Sequence, residues 1–541
     1  MEPSPIQTIV LCAGELSPTI FPLNTSRSVA MLPVNGKPVI GWILDDLFKK
    51  KILNVVIVAK AEDQQLRSFV AWAYGHRMQI LFAFPTGQTI LHSLQAGLEY
   101  CDIDCPIRII LGDTLIRDPF DGDVDFVYTG RVEDTRRWCL VTTADDGSIL
   151  EYIDKPSTSS PSRVALAGYY HFMDGNALRT LLTDRLQRGD RELSDLLRCY
   201  GPIRAVQANE WYDFGHIDNL ADARRQLLQP RFFNSLVVNP ILNTITKTSQ
   251  NNDKLQNELD WYLSLPETLK VLAPRILHHQ VMAGGEVHLI QEYYGYPALS
   301  ELYVYGNLDI EVWETILRKV IQVHLEFLKY PSQLDPTEIE TMYLAKTQER
   351  LRELVGKDHS WDALLALPSI EYNQQVLQNF HQLLPALRKQ FKHIAASAAV
   401  HIIHGDFCLS NILFDVNHQI IRLIDPRGYF GRKGIYGDPR YDIAKLRHSI
   451  SGLYDFILAD LFLIEEFASG KFSGQILVNE LQNPLAEYFD DLLISNGYSL
   501  DEIRLIEGLL FVSMLPYHQG FPARQKMFFL TGLALLNEVL T

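Results

Sequence analysis

Four polar side chains in HIIHGDFCLSNILFDVNHQIIRLIDPR, residues 401–427, have the types and spacing that phosphoryl transfer needs: His404, Asp406, Asn411 and Asp425. Gly405 lets the backbone turn after the apolar run 398–403 and leaves Asp406 exposed, where its carboxylate can accept a hydroxyl proton. Further on, Asn411 offers an amide oxygen. ILFD, VNHQ and IIRLID then read as a strand, a polar turn and a returning strand that brings Asp425 back beside Asn411. An amide oxygen and a carboxylate converging there are hard-oxygen ligands for Mg²⁺, and Asp406 can orient an attacking alcohol. The competing reading is a buried hairpin whose polar residues cap turns; each residue alone fits it, the set does not.

The elements upstream must supply a nucleotide site. RFFNSLVVNPILNTITKTS reads as an antiparallel hairpin covering the nucleotide, with Phe233-Asn234-Ser235 at its tip, and no glycine-rich Walker loop is present. Lys247 ends NTITK, and Glu258 lies on the helical stretch KLQNELDWYLSLP, a spacing that suits a lysine on phosphates oriented by a helix carboxylate; a surface ion pair is the alternative. VHLIQEYYGYPALSELY is a strand running into a connector marked by Glu292 and Tyr294, and Tyr293, Tyr294 and Tyr296 read as packing residues. Apolar residues at three and four spacing predict helices through most of 308–398 and again over 441–541. Arg427, Arg432 and Lys433 are candidates to contact an anionic acceptor, or are simply solvated.

HGDFCLSN followed by IDPRG resembles the catalytic loop and metal segment of the aminoglycoside phosphotransferase and choline kinase family, small-molecule relatives of protein kinases. The resemblance implies a two-lobed, kinase-like α+β domain over 231–541, in which Asp406 is the catalytic base, Asn411 and Asp425 bind Mg²⁺, and His404 supports the catalytic loop. It also implies ATP as phosphoryl donor, with adenine bonded to the Glu292–Tyr294 backbone. GDPRYDIAKL fits the same family, where an aspartate placed like Asp442 braces the catalytic loop.

The N-terminal half has a different rhythm. IQTIVLC at 6–12, VVIVA at 55–59, and strands at 79–84 and 107–111 alternate with helical stretches at 39–51, 62–74 and 89–100, which predicts an α/β, doubly wound sheet. Ligands bind such sheets at the carboxyl ends of strands, where Ala13-Gly14 and Asp113 lie. Asp113 is placed to hold a metal or to cap a turn.

LCAG, PVNGKPVIGWILDDL, LGD, YIDKP, LAGYYHF and WYDFGHIDNLADAR recur in the order found in sugar-phosphate nucleotidyltransferases. That resemblance covers about 6–228 and implies a Rossmann-like, GT-A-like nucleotidyltransferase domain over 1–230. By it, Ala13 and Gly14 approach the nucleotide, Gln88 lies by the base, Asp113 and Asp213 hold Mg²⁺, Lys155 contacts the sugar phosphate, and Gly168 lets the chain pass close to the sugar. The sequence departs from the family in two places. The loop after Gly14 lacks the usual second glycine and arginine, and Ser28-Val29 stands where Pro-Lys is expected. Both missing cations would face the triphosphate, where fixed positive charge matches the charge growing on pyrophosphate; Arg27 and Lys37 are the nearest substitutes.

Composition fits this picture. The 541 residues, 47% hydrophobic and 21% charged, describe ordinary globular domains, and the net charge of −16 argues against nucleic acid and anionic membranes as partners. The absence of a signal-like N-terminus or long apolar run predicts a cytoplasmic chain. Six scattered cysteines read as reduced thiols. Three readings follow. The chain is a bifunctional enzyme that phosphorylates an alcohol, amino alcohol or sugar and then couples the phosphate to a second NTP (CTP, UTP, GTP or dTTP), as for surface polysaccharide precursors. Or it is a kinase with an N-terminal binding or scaffolding domain, or a non-catalytic nucleotide-binding module. An oligomer of identical chains is compatible with each.

Overall fold

Short apolar runs build the first sheet, and those at 7–11, 54–58 and 107–111 are buried on both faces. The computed structural model describes residues 6–14, 28–120, 122–228, 234–249, 252–282 and 286–541. The chain divides into two compact units, Met1–Leu227 and Leu228–Thr541. In the first, four parallel strands lie in the order Gln79–Ala83, Asn54–Val58, Gln7–Leu11 and Ile107–Leu111, with Ile9 in register with Val56 and Ile109. Helices Val39–Lys49, Gln64–Tyr74 and Ile90–Leu98 form the crossovers. Asp63 and Thr89 start the second and third by accepting the Leu66 and His92 amides. Strand order reverses beside Gln7–Leu11, which places the Cys12–Gly14 and Gly112–Asp113 turns side by side at a ligand-binding crevice.

The doubly wound pattern describes these four strands, and the sheet then continues antiparallel. Val164–Phe172 pairs with Ile107–Leu111 and leads on to Phe126–Arg131, Cys139–Thr143 and Ile149–Asp154, making nine strands with Arg204–Gln207.

The second unit begins with an antiparallel sheet in the order Asn234–Asn239, Thr244–Ser249, Val287–Glu292, Ile276–Val281, beside helix Asn252–Ser264. The first two strands reverse at 240–243, not at 233–235: Ser235 already pairs with Thr248, and Phe233 lies outside the described residues. The remainder is largely helical, centred on Pro439–Ile450, in which every residue but Arg440 is buried. The all-helical expectation for 441–541 needs correction. Phe462–Ala468 and Lys471–Ile476 form a hairpin that joins Ser369–Tyr372 and Gln375–Gln378 in a four-stranded sheet. Its exposed, polar-rich strands carry a weak alternation that helix-spaced neighbours obscure.

All six cysteines are free thiols. Among the described residues, no helix is long and apolar enough to cross a membrane.

Candidate active sites

The loop carrying Asp406 is fixed from below. The Asp442 carboxylate, on the buried helix Pro439–Ile450, accepts the backbone N–H groups of His404 and Gly405 at 2.7 and 2.8 Å. Gly405 has φ +78°, and a Cβ there would sit 2.7 Å from the Arg427 Cβ, so glycine is required both by the turn and by the close approach. Asn411 Nδ2 donates to Asp406 Oδ2 at 3.0 Å and to the Asp406 carbonyl at 2.9 Å, while Lys445 Nζ pairs with Asp406 Oδ1 at 2.9 Å. Asp406 is thereby held by two side chains. Lys445 escaped the sequence reading although GDPRYDIAKL was singled out for Asp442; it stands one helical turn past Tyr441 on the same face.

Strands Ile412–Asp415 and Ile420–Leu423 pair as expected, and the Ile424 amide donates to the Asn411 carbonyl at 3.0 Å, which returns Asp425 to the loop. Asp425 adopts a left-handed φ of +56°, unusual for a residue other than glycine. Its Oδ1 lies 2.5 Å from Lys247 Nζ, which also contacts Glu258 Oε1 at 2.8 Å. Burial works against the Lys247 charge, but Asp425 and Glu258 outweigh it and raise its pKa. The surface ion pair reading of Lys247 and Glu258 thus gives way to a buried pair joined by the partly exposed Asp425. Gly428, φ +59°, closes the segment: a Cβ there would collide with the Asn257 carbonyl oxygen, one residue before Glu258.

The Asn411 amide nitrogen serves Asp406, and its oxygen and the Asp425 carboxylate are hard donors of the kind Mg²⁺ takes. Such a pair suits an ion that completes its shell with nucleotide phosphates. No cluster of three or more His, Cys, Asp or Glu side chains that would cage a metal by itself occurs among the described residues.

His404 is fully buried, set edge-on to Trp261 with ring centroids 5.5 Å apart, and burial pushes its pKa down to about 4. A neutral packing residue under the loop positions Asp406 and meets no substrate. In the connector, Tyr293 exchanges backbone and side-chain hydrogen bonds with Asn243, and Glu292 Oε2 accepts from the Arg275 amide and the Tyr294 hydroxyl. Arg432 donates to the Gln333 carbonyl and Lys433 faces Asp253, so neither is directed at Asp406 by these contacts.

In the first unit, a cavity of about 180 Å³ at the strand-order reversal is lined by Ala13, Gly14, Val29, Gln88 and Asp113. Four of these were picked out from sequence. The fifth, Val29, puts an apolar side chain where the resemblance expects a cation. Arg27 and the loop after Gly14 lie outside the described residues, and Lys37 is occupied by Asp45 at 2.6 Å. A second cavity, of about 370 Å³, is lined by Arg131, Arg137, Trp138, Trp211, Asp213 and His216. A Cβ on Gly215 would lie 2.8 Å from Asp113 Oδ2 and 3.5 Å from Asp213 Oδ1, so the two carboxylates face one small space.

Burial, and then the Asp213 charge, push the Asp113 pKa up to about 6. That frustration is what a shared divalent cation would relieve, and the donor pair fits Mg²⁺. Asp213 is itself held by His216 at 2.9 Å and Asn219 at 3.0 Å. Gly168 has φ +83° and its Cα packs against Thr114. Lys155, with φ +40°, pairs at the surface with Glu192 at 3.1 Å and lines neither cavity. Trp138 and His216, with ring centroids 4.5 Å apart and planes tilted by 37°, were not foreseen, although His216 lies in the quoted stretch WYDFGHID.

Residues 7–230 match the family described as nucleotidyl transferase, and residues 242–462 match the phosphotransferase enzyme family. Both are transferase families. Over 236 residues the chain is 23% identical to the bifunctional protein GlmU of Methanocaldococcus jannaschii, covering 41% of this chain and 54% of that one. It is 21% identical to the low-salt glycan biosynthesis nucleotidyltransferase Agl11 of Haloferax volcanii, over 41% of this chain and 66% of that one. The chain therefore spans about half the length of the first of these relatives. A solved UDP-glucose pyrophosphorylase, complexed with UDP-glucose, aligns with 17% identity and a TM-score of 0.36 over 41% of this chain and 98% of its own.

Proposed function

We propose, for a chain that joins a nucleotidyl transferase domain to a phosphotransferase domain, that the two catalyse successive steps: ATP-dependent phosphorylation of a small-molecule hydroxyl, then transfer of a nucleotidyl group from a second NTP to a phosphorylated product. The observation that carries the first step is the Asp406 carboxylate, held by Asn411 and Lys445 beside the Lys247–Asp425 pair. Asp406 takes the proton of the acceptor hydroxyl as its oxygen bonds to the γ-phosphorus, and the bond to the β-phosphate oxygen breaks to release ADP. Lys247, kept charged by Glu258, is placed to steady the phosphates. Mg²⁺, held by Asn411 and Asp425, would neutralise charge on the transferred group.

For the second step, the support is the Asp113–Asp213 pair between the crevice at Ala13-Gly14 and an aromatic, arginine-bearing cavity. The relative named for glycan biosynthesis supports a product that is a precursor for a glycan or surface polysaccharide. Fusing the steps raises the local concentration of the intermediate. The test is mass-spectrometric: full-length protein with ATP, Mg²⁺ and a panel of alcohols, amino alcohols and sugars, with and without each NTP. A phosphomonoester followed by a nucleoside diphosphate conjugate and pyrophosphate supports both steps; a phosphomonoester with no pyrophosphate from any NTP removes the second.

Val29 favours one other reading, in which the kinase is active and the first unit only binds nucleotide or sugar phosphate. Loss of one charge-matching contact typically costs about 3 kcal/mol of barrier.

A further inference from the structure

Beside Asp406 lies a group of cations that the steps above leave unused. Tyr441, one turn before Lys445 on helix Pro439–Ile450, has a hydroxyl that receives Arg427 Nη1 at 2.7 Å and Lys346 Nζ at 3.2 Å. Among the described residues, no carboxylate forms an ion pair with either cation. Lys346 also lies 5.3 Å over the Tyr441 ring, so a neutral aromatic holds it where a counter-ion would normally sit. Arg427 is tied to the catalytic loop by its amide, which donates to the His404 carbonyl at 2.9 Å.

The backbone delivers Lys346 to this place by an uncommon route. Thr341–Ala345 forms a single π-helical turn between helices Pro336–Glu340 and Lys346–Val355. π-turns inside helices rotate the residues that follow and are frequent at functional sites. This one is pinned by the Tyr343 hydroxyl, which donates to Asp438 Oδ2 at 2.9 Å, and Asp438 is the residue that starts the helix carrying Tyr441 and Lys445. Lys346, Tyr441, Lys445 and Asp406 are therefore placed by one connected frame. Burial first, and then Arg427, Arg350 and Lys445, hold the Lys346 pKa well below the usual lysine value, with Asp406 acting against them.

We propose that the hydroxyl phosphorylated at Asp406 belongs to an anionic acceptor, a polyol or sugar that already carries a carboxylate or a phosphate, and that Lys346 and Arg427 bind that anionic group. The inference rests on the phosphotransferase reading of the second unit and narrows it. It disfavours the cationic amino alcohols and aminosugars, which leave Lys346 and Arg427 without an anionic partner from the acceptor.

The experiment uses full-length protein, ATP and Mg²⁺ with acceptors matched in skeleton: glycerol, glycerate and glycerol phosphate; glucose, glucuronate and glucose 6-phosphate; choline and ethanolamine as cations. Phosphorylation of the acid or phosphate member of a set, with kcat/KM about 30-fold or more above its neutral counterpart, is expected. The carboxylate and phosphate arms identify which anion is held. Lys346→Met should raise the KM for that acceptor roughly 10- to 100-fold while leaving the KM for ATP unchanged, and Lys346→Arg should restore part of the loss. Preference for a neutral or cationic acceptor, or an acceptor KM indifferent to Lys346→Met, overturns the anionic acceptor and leaves the kinase standing. Transfer to no acceptor at all, with ATP bound, overturns the kinase reading and the inference together.

Discussion

Asn411 Nδ2 donates to Asp406 Oδ2 at 3.0 Å, so the side chain offered to the metal also aims the proton acceptor. Replacing Asp406 by Asn removes the base but preserves size and the Lys445-facing oxygen. Phosphoryl transfer should fall by roughly 10²- to 10⁴-fold, with nucleotide affinity little changed, as read by coupled ADP release and by ATP titration calorimetry.

Lys247 bridges Glu258 and Asp425, pairing with both carboxylates. Lys247→Met strands two carboxylates in a poorly solvated place and should destabilise the second unit by about 3 kcal/mol. Denaturant titration measures this, and ATP turnover should be lost in parallel. Glu258→Gln retains a polar partner for Lys247 and should unfold at higher denaturant than Lys247→Met.

In the first unit, Asp113→Asn should abolish pyrophosphate release from any NTP and leave phosphorylation of the acceptor intact. Val29→Lys bears on the cation absent from the crevice. If that residue limits turnover, it should raise nucleotidyl transfer by about 10²-fold. No gain on top of measurable wild-type turnover would mean that the residues after Gly14 already supply the charge.

Burial pushes the His324 pKa down to about 3, and its Nε2 lies 2.6 Å from the Tyr498 hydroxyl. Because the folded value lies below the unfolded one, its contribution is complete above about pH 6.5 and is lost as pH falls from there towards 3. From pH 7 to 5 this one group should cost the fold about 2 kcal/mol. His324→Gln should flatten the dependence of the urea midpoint on pH over that interval; an unchanged slope would refute the assignment.

What the sequence revealed follows from how local each signal is. The parallel strands from Gln7 to Leu111 and their crossover helices stand where the apolar periodicity put them, because a strand buried on both faces and a capped amphipathic helix are each encoded in fewer than about fifteen residues. The Asp406–Asn411–Asp425 set was legible for the same reason. Lys346 was not: its meaning comes from Tyr441, far along the chain, and from a π-turn that no periodicity announces. The strands at 462–476 pair mainly with each other across the Ser469-Gly470 turn, a local signal that was passed over because helical spacing dominates the residues on either side. Lys155, chosen through a motif, is found on Glu192.

The contact of Gly428 with the Asn257 backbone has one further implication. In protein kinases, switching off involves moving the glutamate helix away from its lysine. Here main chain rests on main chain beside Glu258, so such a movement has to carry Gly428 and the segment after Asp425 along with it. Glutamate helix and metal-side strand are geared to one shaft: what displaces either should register in the other.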